Sequence, residues 1–67
     1  MNEEEILYDA LRAPLGLVVT GDRQRLTRAR TKLVANDPAM HELAIIGPDR
    51  SGNIYLLRTD AARKLQQ

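Results

Sequence analysis

Apolar and polar positions alternate along this chain in a way that predicts short helices and short strands. The first helix covers residues 3–12, where the apolar side chains fall on one narrow helical stripe made of Ile6, Leu7, Ala10 and Leu11. Asn2 is placed to cap this helix, and three glutamates in its first turn suit the positive end of the helix dipole. Pro14 disfavours helical geometry at Ala13, so the helix is predicted to end there.

A strand and a second helix follow. Residues 15–20, "LGLVVT", are apolar at nearly every position and β-branched toward the end, which predicts a strand that is buried on both faces. Asp22 is a suitable N-cap for a helix over residues 23–35. On a helical wheel, one side of this helix is apolar and should face the sheet through Leu26, Ala29 and Leu33.

The last third of the chain reads as a hairpin followed by a short helix. Asp37 and Pro38 stop the second helix, and strands are predicted over residues 43–47 and 54–58. The loop "PDRSGN" joins these strands and ends in Gly52-Asn53, which can supply positive φ. Thr59 or Asp60 can cap a final short helix, "AARKLQQ".

The element order predicts an α+β fold. The order is α-β-α-β-β-α, and the simplest compact solution is one small three-stranded sheet with the helices on one face. We expect the third strand to lie in the middle, antiparallel to both neighbours. Residues 1–67 are long enough for a single domain only.

Composition narrows the picture further. The chain has no Trp, no Phe and two Tyr, so the core must be aliphatic, and it has no Cys with which to form a disulfide. Domains this small are marginally stable alone, which favours support from a partner such as a second copy of the chain. Acids follow Met1 directly, and no apolar run approaches the length of a membrane span. These features predict a cytoplasmic protein without a membrane partner.

Charge is unevenly distributed, although the net charge is only +1. The first helix is acidic, whereas residues 23–36 contain five basic residues and no acid. On the wheel, the basic residues split into two flanks around a polar ridge. The candidate binding residues are the stripe Arg25, Arg28 and Lys32 first, then Arg23 and Arg30 on the opposite flank and Arg50 in the hairpin loop.

The residues needed for catalysis or metal binding are mostly missing. The chain has one Ser (Ser51, in a turn) and one His (His41), and His41 and Glu42 should point apart in an extended segment. The turn "VVTGDR" resembles a phosphate-binding turn only superficially, because Asp22 would place a negative charge where the anion should sit. We therefore expect no enzymatic activity, no cofactor and no metal site.

Three segments in order resemble a known family: "ILYDALRAPLGLVVTGDRQRLTRARTKL", "NDPAMHELAI" and "GNIYLLR". They are similar to small proteins of tailed phages and prophages, whose pattern has a helix, an "SPLGIVV" strand, a "RLRxxLYxAR" basic helix, a "DPxLxxL" break and a closing "LWIVKK" strand. The resemblance covers about residues 5–58. This chain departs from the pattern at Ala13, at Thr31 in place of a helix aromatic, in its last strand "IYLLRT" and in its tail from Thr59 onward. The resemblance implies phage origin and a small α+β form.

The sequence predicts a binding function, with two alternatives left open. Small phage proteins of this type often bind host machinery, so the first hypothesis is an accessory protein that binds a host protein and inhibits or modulates it by occupying a surface. The alternative is a small accessory protein that places the same basic residues on the phosphates of a nucleic acid. No aromatic side chain is available in the basic helix to stack on bases, and the pI of about 8.2 is low for a nucleic-acid-binding domain.

Overall fold

The computed structural model describes residues 2–65, with side chains as far as residue 63. Within that range the chain forms helices α1 (Glu3–Arg12), α2 (Arg23–Asn36) and α3 (Thr59–Leu65), a 3₁₀ helix (Pro38–Glu42), and strands β1 (Leu17–Thr20), β2 (Leu43–Ile46) and β3 (Asn53–Arg58). The α+β class and the predicted element order are confirmed. The predicted final helix begins earlier than expected, and its last two positions, Gln66 and Gln67, lie outside the described residues.

The three strands form one antiparallel sheet in the order β1-β3-β2. Leu56 of β3 lies opposite Leu17 of β1 on one side and Ile45 of β2 on the other. The prediction that the last strand lies in the middle, antiparallel to both neighbours, is therefore confirmed. β1 and β2 are the two edges of the sheet.

The core lies between the sheet and the two longer helices, α1 and α2. The predicted apolar stripes face it, because the alternate residues of the middle strand and one side of each helix meet there. Its fully buried members are aliphatic: Leu7, Ala10, Leu26, Met40, Leu43, Ile54 and Leu56. Ala10 is fully buried in this core, and Ala29 of α2 packs against its margin.

Side-chain caps define where the helices start. The Asn2 Oδ1 atom accepts a hydrogen bond from the backbone N–H of Glu5 at 2.9 Å, and Asp22 Oδ1 accepts one from Gln24 at 2.8 Å. Both predicted caps are present. Asp37 caps the 3₁₀ helix in the same way, by accepting from the Ala39 N–H at 3.1 Å.

The segment around His41 and Glu42 was predicted to be extended, and that prediction is wrong. The 3₁₀ helix that starts at Pro38 includes both residues. Its tight turn points Met40 inward, where the side chain is fully buried. This core position had no helical or strand periodicity to reveal it.

The first strand differs from the prediction in length and in burial. It begins at Leu17, because Pro14 and Leu15 form a turn and Gly16 has a φ of 78°. A Cβ at Gly16 would lie 2.4 Å from the backbone oxygen of Leu56, so only glycine lets the chain pass this close to β3. The strand was expected to be buried on both faces, yet Val18 is 59% exposed. The reason is topological: β1 is an edge strand, and the helices cover only one face of the sheet.

Candidate functional site

An open groove of about 420 Å³ lies between the first turn of α1 and one flank of α2. All three residues of the basic stripe, Arg25, Arg28 and Lys32, lie along it. The remaining lining residues are Asn2, Glu3, Glu4 and Ala29. The structure thus brings the first-choice binding residues together with the acidic start of α1.

The groove follows from the helical spacing of its residues. Arg25, Arg28 and Lys32 lie at i, i+3 and i+7, so they share one flank of α2 next to the buried stripe. Ala29 lies between them and packs partly against the core, and its short side chain leaves space at the floor. The two helices pack against one another directly, which places the glutamates at the start of α1 beside the α2 cations.

The charges along the groove are only partly paired. Arg25 Nε lies 3.5 Å from Glu3 Oε1, with the two side chains 69% and 35% exposed. An exposed contact of this length contributes little to stability. Within residues 2–65, Arg28 and Lys32 have no ion pair. The groove therefore offers two solvated cations on one wall and the carboxylate of Glu4 on the other.

The opposite flank of α2 has a different role. Arg30 donates from Nε to the backbone oxygen of Leu43 at 2.8 Å and from Nη2 to that of His41 at 3.3 Å. Arg23 donates to the backbone oxygen of Gly47. These two arginines, predicted as second-choice binding residues, attach α2 to both ends of β2 and do not line the groove. The sequence contains no signal for this, because the acceptors are main-chain atoms.

The hairpin loop presents Arg50 at an exposed tip, away from the residues that line the groove. Asp49 organises the loop: its Oδ2 accepts from the Tyr55 hydroxyl at 2.5 Å, and its Oδ1 accepts from the N–H groups of Ser51 and Asn53 at 2.9 Å each. The Tyr55 bond, followed by the backbone bonds, lowers the pKa of Asp49. The same bond from Tyr55 to Asp49 raises the pKa of the Tyr55 hydroxyl.

The remaining polar residues form no recognisable reaction centre in the described part of the chain. Ser51 lies in the hairpin loop and His41 in the 3₁₀ helix, and no hydrogen bond joins them within residues 2–65. No group of three or more His, Cys, Asp or Glu among those residues is placed to hold a metal ion.

Comparison of the chain with protein-family models, curated proteins and solved structures finds no match. The resemblance to small phage proteins therefore stays a prediction. None of the helices described within residues 2–65 is long and apolar enough to cross a membrane.

Proposed function

We propose that this chain is a non-enzymatic accessory protein of the phage type, which binds a host protein through the groove between α1 and α2. Binding is stoichiometric: the chain occupies a surface on its target and thereby inhibits or modulates it. Arg28 and Lys32 make the main contacts, and Arg25 and Glu4 contribute at the margins.

The observation that carries this proposal is the mixed charge of the groove. Arg28 and Lys32 lie on one wall, while Glu3 and Glu4 stand on the other. A protein surface with both signs of charge can complement both walls, and such complementarity provides specificity and fast association. The cations are already exposed, so a partner reaches them without breaking any ion pair within residues 2–65.

The same arrangement disfavours the alternative of a nucleic-acid-binding protein. A phosphate backbone presents one sign of charge only, and the glutamates of α1 would repel it at the groove. On the opposite flank of α2, Arg23 and Arg30 already donate to main-chain oxygens, which leaves fewer of their N–H donors for phosphates. Protein binding is therefore the function that the geometry supports better.

The test is a capture experiment from nuclease-treated bacterial lysate, with two matched double variants. The groove variant is Arg28→Ala with Lys32→Ala. The control variant is Gln24→Ala with Thr27→Ala, which changes two exposed α2 positions outside the groove. We expect a captured protein to survive nuclease treatment, to be lost with the groove variant and to be retained with the control.

A parallel gel shift with duplex DNA at two salt concentrations tests the alternative. The proposal predicts weak binding that changes little with the groove variant. Tight binding that weakens steeply with salt and depends on Arg28 and Lys32 would instead support nucleic-acid binding. If both double variants capture the protein as well as the wild type does, the groove is not the binding site.

A further inference from the structure

The two edges of the sheet differ in how well they are protected against pairing with a further strand. At β2, guanidinium groups of α2 donate to main-chain oxygens at both ends of the strand: Arg30 to His41 and Leu43, and Arg23 to Gly47. Bulky charged side chains at an edge hinder the addition of another strand, which is one way in which proteins avoid edge-to-edge association.

The β1 edge lacks this protection. Among the side chains described, which end at residue 63, none donates a hydrogen bond to β1, and the helices pack mainly against β2 and β3. The run from Ala13 to Gly21 contains no charged residue. Among the side chains that the structure describes, residues 2–63, two of the three large apolar ones that are exposed lie in this run, with Leu15 at 89% and Val18 at 59% exposure.

We propose that β1 is the dimer interface of this protein, where it pairs antiparallel with the β1 strand of a second copy. The two three-stranded sheets then become one six-stranded sheet, with the helices of both copies on the same face. Main-chain hydrogen bonds between the two edges supply the attraction, and Leu15 and Val18 lose exposed apolar surface.

A second copy fits this edge for reasons of symmetry and charge. Antiparallel pairing of a strand with itself has twofold symmetry, so each residue meets a position of the same strand. Such a contact is self-complementary only if it brings no like charges together, and the uncharged run 13–21 satisfies that condition. Because the strand has only four residues, the buried area is small, and we expect a weak dimer with a dissociation constant on the order of micromolar to sub-millimolar.

Stacking through the open face of the sheet is the competing arrangement for a dimer. Val18, Tyr55 and Ile46 form one row across that face, with Val18 at the β1 edge and Ile46, 43% exposed, at the β2 edge. A stacked dimer would cover both ends of this row. An edge-paired dimer covers only the Val18 end, and this difference provides the control.

The experiment is sedimentation equilibrium of the full chain from about 10 µM to about 1 mM, a range that brackets the expected affinity. The test variant is Val18→Lys, which adds a charge at the unprotected edge, and the matched control is Ile46→Lys at the opposite edge. We expect the wild type to dimerise, Val18→Lys to raise the dissociation constant at least about tenfold, and Ile46→Lys to change it less than about twofold. Thr20→Lys, at an exposed β1 position, should behave like Val18→Lys if the latter folds poorly.

The outcomes are distinct. A wild type that is monomeric up to about 1 mM overturns the proposal, even if another protein's strand pairs with β1. If Val18→Lys and Ile46→Lys weaken dimerisation equally, the edge-pairing proposal is overturned in favour of stacking through the open face. Dimerisation that is lost with Arg28→Ala and Lys32→Ala, but not with the β1 variants, assigns the contact to the groove and also overturns it. None of these results depends on whether the groove binds a host protein.

Discussion

The two basic flanks of α2 have the same residue types but very different surroundings. On one flank, Arg23 and Arg30 donate to main-chain oxygens and attach the helix to β2. On the other flank, Arg28 and Lys32 line an open groove and have no ion pair within residues 2–65. A basic side chain on a helix therefore indicates a binding site only if its hydrogen-bond donors are not already bonded within the fold.

The strongest way to test this contrast is to remove one arginine from each flank. Arg30→Ala should lower the free energy of unfolding by about 2 kcal/mol, since it removes two hydrogen bonds from a charged donor, one of them part-buried. Arg28→Ala should change it by less than about 0.5 kcal/mol, as is usual for exposed positions. Urea unfolding followed by circular dichroism measures both. Equal losses of unfolding free energy in the two variants would contradict the different roles of the two flanks.

Arg30→Lys separates the contribution of the positive charge from that of the hydrogen-bond geometry. Lysine keeps the charge but cannot donate from a planar fork to two oxygens at once. We expect a loss of stability between those of the wild type and Arg30→Ala, measured in the same urea experiment. A lysine variant as stable as the wild type would mean that charge alone, and not the pair of main-chain bonds, attaches α2 to β2.

The glutamates on the facing wall of the groove should weaken the binding of anions such as DNA. Replacing Glu4 with Gln should raise the affinity for duplex DNA by about fivefold, because one unit charge at close range is worth roughly 1 kcal/mol in water. Fluorescence anisotropy with labelled DNA at low salt measures the change. The matched control, Glu5→Gln, lies in the same helical turn but does not line the groove. No difference between the variants would mean that the wall does not influence anions at the groove.

The polar contacts of the hairpin loop, like those of Arg23 and Arg30, hold the fold together. Their contribution to stability depends on pH. The pKa of Asp49 is lowered by the Tyr55 bond and then by backbone bonds, so its contribution to stability is present at neutral pH and is lost as the pH falls through the folded-state value. The pKa of Tyr55 is raised, so its contribution is present at neutral pH and is lost in strong base. Tyr55→Phe should therefore shift acid unfolding to a higher pH, as measured by circular dichroism. An unchanged acid transition would argue that the bond from Tyr55 to Asp49 does not stabilise the loop.

Much of the fold could be predicted from local sequence patterns. Helical spacing identified the buried stripes of α1 and α2, and the residue types Asn2 and Asp22 identified their caps, because these signals act within one or two turns. The burial of Met40 and the exposure of Val18 could not be predicted in this way. The first depends on a 3₁₀ turn without apolar periodicity, and the second depends on which strand becomes an edge.

The candidate site was predictable only in part. The spacing of Arg25, Arg28 and Lys32 placed them on one flank, and the structure places them along one groove. The glutamates on the facing wall belong to another helix, and their position depends on how α1 packs against α2. Likewise, nothing in the spacing of Arg23 and Arg30 distinguished them from contact residues, since their acceptors are carbonyl oxygens more than ten residues away.

Binding at the groove is tested most directly by titrating the ¹⁵N-labelled chain with the captured and purified protein, followed residue by residue by NMR. We expect shift changes to concentrate at residues 2–4 and 25–32 along the groove, while residues 47–53 of the hairpin loop remain unchanged. Shift changes centred on Arg50 and the hairpin loop, with the groove residues unaffected, would contradict binding at the groove.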